Sequence, residues 1–192
     1  MKVLKKHCVF DMDGVLIDSL SWIEKAYKHA GVPILEQDRY KSWKEWLVPL
    51  YGMTMATRIH DKKNEFYSCM LSARIVKKLP PAQVLEKFHT MCSIATGASA
   101  TSVLAVKKYV GFGDECKVGV CEASAEDKIA YLVNLHNISN KYGYYFDDNE
   151  EVGQGIVDEA NRKIGEDVWK FYHYVEQTFD EIMKEVSKPW QM

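Results

Sequence analysis

Residues 8–18 read CVFDMDGVLID, an apolar run that ends on two aspartates, one residue apart, and a glycine. Aspartate is disfavoured inside strands, and two neighbouring carboxylates raise each other's pKa unless a cation or hydrogen bonds compensate them. The run predicts a buried strand over residues 6–10 that carries Asp11 and Asp13 at its carboxyl end. Taken alone, the stretch is either an acidic turn or the site of a positively charged group.

Strands and helices are predicted to alternate along the second half of the chain. Strands are predicted over residues 91–96, 117–121 and 142–146, with helices over 84–89, 100–109, 126–136 and 152–163. WKFYHY, residues 169–174, is predicted as a final strand, followed by an amphipathic helix over 175–186. Such alternation implies right-handed crossovers, so the predicted fold class is α/β, a Rossmann-like parallel sheet with helices on both faces.

The stretch between the first two predicted strands is long and helical. Helices are predicted over 19–30 and 36–78, the second broken near residues 49–52 and stopped by Pro80 and Pro81. The apolar face of the second helix is predicted at Ile59, Phe66, Met70 and Ala73, which recur at helical spacing. This stretch fits badly as a crossover. We therefore predict an inserted helical cap over 17–79 and a Rossmann-like core formed by 1–16 and 80–192.

Polar residues follow several of the predicted strands. Ligands of an open parallel sheet bind beyond the carboxyl ends of its strands, so we expect these residues to converge. They are Asp11 and Asp13 after the first strand, Thr96 and Gly97 after the second, and Asp147 and Asp148 after the strand at 142–146. Lys128, near the start of a predicted helix, would add an ammonium group to the same edge.

The order of these segments resembles a known family. D-M-D-G-V at 11–15, T-G-A-S at 96–99, Lys128 and F-D-D-N at 146–149 are similar to the four ordered motifs of the haloacid dehalogenase-like (HAD) hydrolase superfamily. The resemblance implies a phosphatase in which Asp11 is the nucleophile and forms an aspartyl-phosphate. Asp13 would be the general acid and base, and an acid at that position favours phosphate esters over carbon–halogen bonds.

The same resemblance implies the remaining site residues and a cofactor. Thr96, Gly97 and Lys128 would bind the phosphoryl oxygens. Mg²⁺ prefers oxygen ligands and would offset the clustered carboxylates, held by Asp11, the backbone carbonyl of Asp13 and an acid of the pair Asp147 and Asp148. Asp148 is favoured as the direct ligand, with Asp147 either behind that ligand or as the partner of the lysine, and the sequence leaves that choice open.

Composition limits the partners. The 192 residues are 47% hydrophobic and 27% charged, with a formal charge of −2, so neither duplex nucleic acid nor an anionic membrane is an expected partner. No apolar run is long enough to predict a membrane span or a signal peptide, and five cysteines without CxxC spacing favour reduced thiols. We therefore expect a cytoplasmic protein with a small phosphorylated substrate. Nothing in the sequence predicts an oligomeric state.

Two alternatives to a phosphatase stay open at this point. A phosphomutase would use the same acids but keep the phosphoryl group from water. A non-catalytic HAD-like module would bind a phosphorylated ligand or a protein partner. All the motif acids are present, which favours an enzyme, and a nucleotide or a sugar phosphate is the expected substrate class.

Overall fold

The computed structural model describes residues 5–35, 38, 41–175, 179, 180 and 184. The strands are β1 Lys5–Phe10, β2 Cys92–Ala95, β3 Val118–Val120, β4 Lys141–Asp147 and β5 Trp169–His173. The helices are α1 Leu20–His29, α2 Trp43–Ser72, α3 Pro80–Lys87, α4 Ala100–Val106, α5 Ala125–Ser139 and α6 Glu150–Ile164. None of the helices in these ranges is long and apolar enough to cross a membrane.

The five strands form one parallel sheet in the order β3–β2–β1–β4–β5. This confirms the predicted α/β class and the strand predicted from WKFYHY. The central strand β1 pairs with β2 on one side and β4 on the other, so that Phe10 lies between Ile94 and Phe146. Strands β2 and β3 therefore lie on one side of β1, and β4 and β5 lie on the other. Ligands of such folds bind where the strand order switches sides, beyond the carboxyl ends of the strands.

Helices cover both faces of the sheet, as predicted. On one face, Phe10 and Phe146 stack with ring centroids 4.7 Å apart and share an apolar cluster with α3 and α4. On the other face, Val9 and Tyr145 pack against α5 and α6. Full burial of side chains of this size contributes about 1.5–3 kcal/mol each, which fixes the strand ends that carry the polar residues.

Helices α1 and α2 occupy the stretch between β1 and α3. They pack on each other through a small cluster that includes Tyr27, Trp46 and Ile59. Helix α2 is kinked at Gly52, within the predicted break, and the φ of 71° there favours glycine. The division into a cap (17–79) and a core (1–16 and 80–192) stays a prediction.

Two expectations for this region need revision, and one for the tail is not tested. Pro80 and Pro81 do not stop the second helix: α2 ends at Ser72, and Pro80 opens α3, because proline is tolerated in the first helical turn, where its missing N–H is not needed. The buried residues near the end of α2 are Tyr67 and Leu71, whereas Ala73 is exposed. Most of the helix predicted over 175–186 lies outside the described residues.

Candidate active site

Three carboxylates meet where β1 and β4 end. The backbone N–H of Asp11 donates to the carbonyl oxygen of Phe146 at 2.9 Å, so the ends of the two strands are held side by side. One carboxylate oxygen from each of Asp11, Asp147 and Asp148 lies within 4.8 Å of the others. Like charges at this spacing repel one another, so the cluster needs compensating positive charge.

Lys128 supplies part of that charge. A capping box between Ser124 and Asp127 starts α5 and places Lys128 in its first turn, where it is buried. Its Nζ lies 3.3 Å from Asp11 Oδ1 and 3.4 Å from Asp147 Oδ2. Burial alone would lower the pKa of Lys128, but the charges of the two carboxylates outweigh burial and raise it. The lysine is therefore a permanent cation between two acids.

Asp147 is well compensated by hydrogen-bond donors. Its Oδ2 accepts from the Tyr145 hydroxyl at 2.6 Å and from Lys128, and its Oδ1 accepts from the backbone N–H of Asn149 at 3.0 Å. Burial and the negative charge of Asp147 raise the pKa of Tyr145 well above its usual value, so this hydroxyl stays a donor. Asp147 is therefore held in place by three donors, one of which is Lys128.

Asp11 and Asp148 are less well compensated. Burial, followed by the charges of Asp11 and Asp147, raises the pKa of Asp148 to about 8. Burial also raises the pKa of Asp11 to about 7, against the opposing effect of Lys128. Among the described residues, the buried Asp11 Oδ1 has no hydrogen-bond donor, only the ion pair with Lys128.

The loop after β1 leaves room for Asp148. Gly14 has a φ of 78°, and a Cβ built on it would lie 2.7 Å from Asp148 Oδ2. A glycine at this position therefore serves both the backbone conformation and the close approach of the carboxylate. An oxygen-only set of clustered acids, with a buried Asp11 oxygen that accepts no hydrogen bond from the described residues, fits a hard divalent cation such as Mg²⁺.

The Asp13 side chain is not part of this cluster and has hydroxyl donors of its own. Its Oδ1 accepts hydrogen bonds from the Ser19 hydroxyl at 2.5 Å and from the Tyr67 hydroxyl at 3.2 Å. The carboxylate cluster therefore contains Asp11, Asp147 and Asp148, and the predicted contribution of Asp13 to a metal site through its backbone carbonyl stays a prediction. Its side chain remains close enough for its charge to raise the pKa of Asp11.

Thr96 and Gly97 lie at the neighbouring strand end. Ile94 pairs with Phe10, so Thr96, two residues later, lies at the same edge of the sheet as Asp11. The Thr96 hydroxyl accepts from the backbone N–H of Ala98 at 3.1 Å, which leaves its own proton for donation to a ligand. The loop is tied to the one after β3 by the bond from the Ala123 N–H to the Thr96 carbonyl at 3.1 Å.

Three side chains of this site were not predicted from the sequence: Ser19, Tyr67 and Tyr145. Tyr145 could have been found, because alternate residues of a strand share a face and Tyr145 lies two positions before Asp147. Ser19 was included only as the start of a helix, and nothing local links it to Asp13. Tyr67 lay outside the face predicted for α2, which was centred on Phe66 and Met70.

Comparison with known proteins gives matches in structure only. No family model and no curated protein matches the sequence. A hydrolase from Pseudomonas syringae is 15% identical, with a TM-score of 0.66 over 95% of this chain and 100% of that one. An HAD hydrolase of family IA, variant 3, from Entamoeba histolytica is 14% identical, with a TM-score of 0.62 over 93% and 99%. CbbY from Rhodobacter sphaeroides, solved with phosphate, is 16% identical, with a TM-score of 0.63 over 82% and 84%.

These likenesses and the sheet order define the class of fold. The chain shares the α/β fold of these solved proteins, one of which is an HAD hydrolase, as the ordered motifs led us to expect. At this level of identity the likeness establishes the fold alone.

Proposed function

We propose that this protein is a Mg²⁺-dependent phosphatase that hydrolyses a small soluble phosphomonoester through an aspartyl-phosphate on Asp11. The observation that carries the proposal is the pairing of a buried Lys128 with Asp11 beside two further acids, Asp147 and Asp148. One ammonium cannot compensate three carboxylates. The surplus negative charge favours a divalent cation, and the lysine favours an anionic phosphoryl group next to Asp11.

The proposed reaction has two steps. In the first, a carboxylate oxygen of Asp11 attacks phosphorus, the bond from phosphorus to the ester oxygen breaks, and Asp13 gives its proton to the departing oxygen. In the second, water attacks phosphorus and passes a proton to Asp13, and the bond from phosphorus to Asp11 breaks. Inorganic phosphate leaves, with Asp11 again a carboxylate and Asp13 again protonated.

The other residues bind and orient the phosphoryl group. Lys128 would hold one of its oxygens as a point charge, and the Thr96 hydroxyl and the Gly97 backbone N–H would donate to the others. Asp11, Asp148 and the backbone carbonyl of Asp13 would hold Mg²⁺, which would supply charge that offsets the carboxylates and the phosphate. Asp147, with its three donors, would keep Lys128 in position.

The substrate class follows from the resemblance and the predicted cap over 17–79. CbbY, which shares the fold, was solved with phosphate bound. We propose a nucleotide or a sugar phosphate, with the cap closing over the ester and limiting the access of water before the aspartyl-phosphate forms.

Phosphate release from a panel of esters tests the proposal. The purified protein is assayed with p-nitrophenyl phosphate, nucleotides and sugar phosphates, with Mg²⁺ and with EDTA. We expect hydrolysis of at least one ester, with activity that falls about 10²-fold or more in EDTA and returns when Mg²⁺ is added. The reason is that the ion would stabilise the charge of the transition state by several kcal/mol.

The Asp148→Asn variant gives this assay a specific readout. It removes the proposed metal ligand, so the Mg²⁺ concentration at half-maximal activity should rise by about tenfold or more. Activity that is indifferent to EDTA would contradict the metal. If the folded protein hydrolyses no ester in the panel, the result would favour a module that only binds a phosphorylated ligand.

A further inference from the structure

We propose that Tyr67, from helix α2, is a positioning residue that orients the carboxyl group of Asp13 for proton transfer to and from the ester. This inference rests on the proposed phosphatase activity and deepens it. It assigns a role in the chemistry to a side chain of the stretch between β1 and α3 that lies 54 residues from Asp13 in the sequence.

Two buried hydroxyl groups converge on one oxygen of Asp13. Tyr67 is 2% exposed, and its hydroxyl donates to Asp13 Oδ1 at 3.2 Å. Ser19 is fully buried and donates to the same oxygen at 2.5 Å. Ser19 holds the N-cap position of α1, where a serine hydroxyl usually accepts a backbone N–H of the helix, but here it donates to Asp13. Both donors therefore serve Asp13.

The chemistry of a carboxyl group explains why the choice of oxygen matters. In a neutral carboxylic acid, one oxygen accepts hydrogen bonds and the other carries the proton. Donors at Oδ1 favour the form with the proton on Oδ2, and they fix the rotation of the group about its bond to Cβ. Oδ2 then gives its proton to the departing ester oxygen, and the resulting carboxylate takes a proton from the attacking water.

The two donors come from different parts of the chain. Ser19 follows Asp13 closely in the same loop, whereas Tyr67 lies on α2, which also packs through Leu71 against the apolar cluster of the sheet. The hydrogen bond from Tyr67 forms only when α2 lies where it does in this structure. Full orientation of the acid therefore requires α2 to be in place.

Leaving-group dependence tests the role of Tyr67. A nitrophenolate is a weak base and departs without a proton, whereas an alkoxide needs one from Asp13. The Tyr67→Phe variant should therefore lower kcat/KM about tenfold for the alkyl phosphate that the parent hydrolyses fastest, and less than about twofold for p-nitrophenyl phosphate. Ser19→Ala, which removes the other donor, should show the same selectivity for the alkyl ester.

Tyr27→Phe is the matched control. Tyr27 is also buried between α1 and α2, and its hydroxyl lies 3.4 Å from His60 Nδ1 rather than near Asp13. Its removal should leave the ratio of the two kcat/KM values unchanged. The thermal midpoint of each variant, compared with that of the parent, reports the cost to the fold separately.

Each other outcome overturns the inference. An equal fall for both esters in Tyr67→Phe would mean that Tyr67 only supports the fold, and no fall would mean that Asp13 is oriented without it. If the parent and Tyr67→Phe are equally active while Asp11→Asn is inactive, this inference fails and the phosphatase proposal stands. If the parent hydrolyses no ester, both fail.

Discussion

An Asp11→Asn variant should release phosphate about 10³-fold more slowly than the parent, or slower still, on every ester that the parent hydrolyses. The amide oxygen of asparagine is neutral and a poor nucleophile, so the first step of the proposed reaction loses its attacking group. Asparagine has nearly the same shape as aspartate, so the binding of the ester should change little. The measurement is steady-state phosphate release with saturating Mg²⁺.

The Asp11→Asn variant is also expected to fold normally. Burial raises the pKa of Asp11 from 3.8 to about 7, so the folded protein binds this proton more tightly than the unfolded chain. The metal-free parent should therefore lose stability as the pH rises from about 4 to about 7. Asparagine does not titrate, so the variant should not show this loss of stability. Asp158→Asn, at an exposed site on α6, is the control and should be fully active. Parent-like turnover by Asp11→Asn would contradict the role of Asp11.

Lys128→Met is expected to lose both activity and stability. The substitution leaves Asp11 and Asp147 close together at a buried site without their cation, and breaking a buried ion pair in this way costs about 3–5 kcal/mol. Removal of a cation aimed at the transferring phosphoryl group should lower kcat/KM by about 10²–10³-fold. Denaturant unfolding and phosphate release measure the two effects.

Lys163→Met provides the matched comparison. Lys163 is an exposed lysine of α6, 3.8 Å from Glu159, and surface pairs of this kind contribute little to stability. The control should therefore match the parent in both measurements. A Lys128→Met protein as stable and as active as Lys163→Met would contradict the placement of Lys128 between the two acids.

The sheet and the acidic edge could be predicted because topology links them. A buried strand that ends in Asp11 and a later one that ends in Asp147 must deliver those residues to one edge if both strands are parallel. This reasoning needs only the order of the strands and no side-chain orientation. The convergence of Asp11, Asp147, Asp148 and Lys128 at one edge was therefore predicted, whereas the position of the Asp13 side chain outside the carboxylate cluster and the hydrogen bonds of the site were not.

The environment of Asp13 could not be predicted, for a reason that lies in α2. A shift of one residue along a helix turns the side chain by about 100°, so a face centred on Phe66 instead of Tyr67 points in a different direction. Apolar residues also lie on the exposed side of α2, among them Leu50 and Met53, and they weaken the periodic pattern. The kink at Gly52 further separates the two halves of the helix.

The boundary between α2 and α3 was mispredicted for a different reason. Proline ends a helix when it follows one and begins a helix when it occupies the first turn, and both readings of Pro80 were consistent with the neighbouring residues. The structure resolves this in favour of the second reading, since α2 ends at Ser72 well before the prolines. The connection between the two helices includes the pairing of Lys78 with Ile17.

The most direct test of the central claim is the detection of a phosphoryl group on Asp11. The parent protein is mixed with Mg²⁺ and a saturating amount of the ester that it hydrolyses fastest, quenched in acid at successive times, and mapped by peptide mass spectrometry. We predict a phosphoryl group on the peptide that contains Asp11, absent from Asp11→Asn. A phosphoryl group on another residue, or full turnover by Asp11→Asn, would contradict the account.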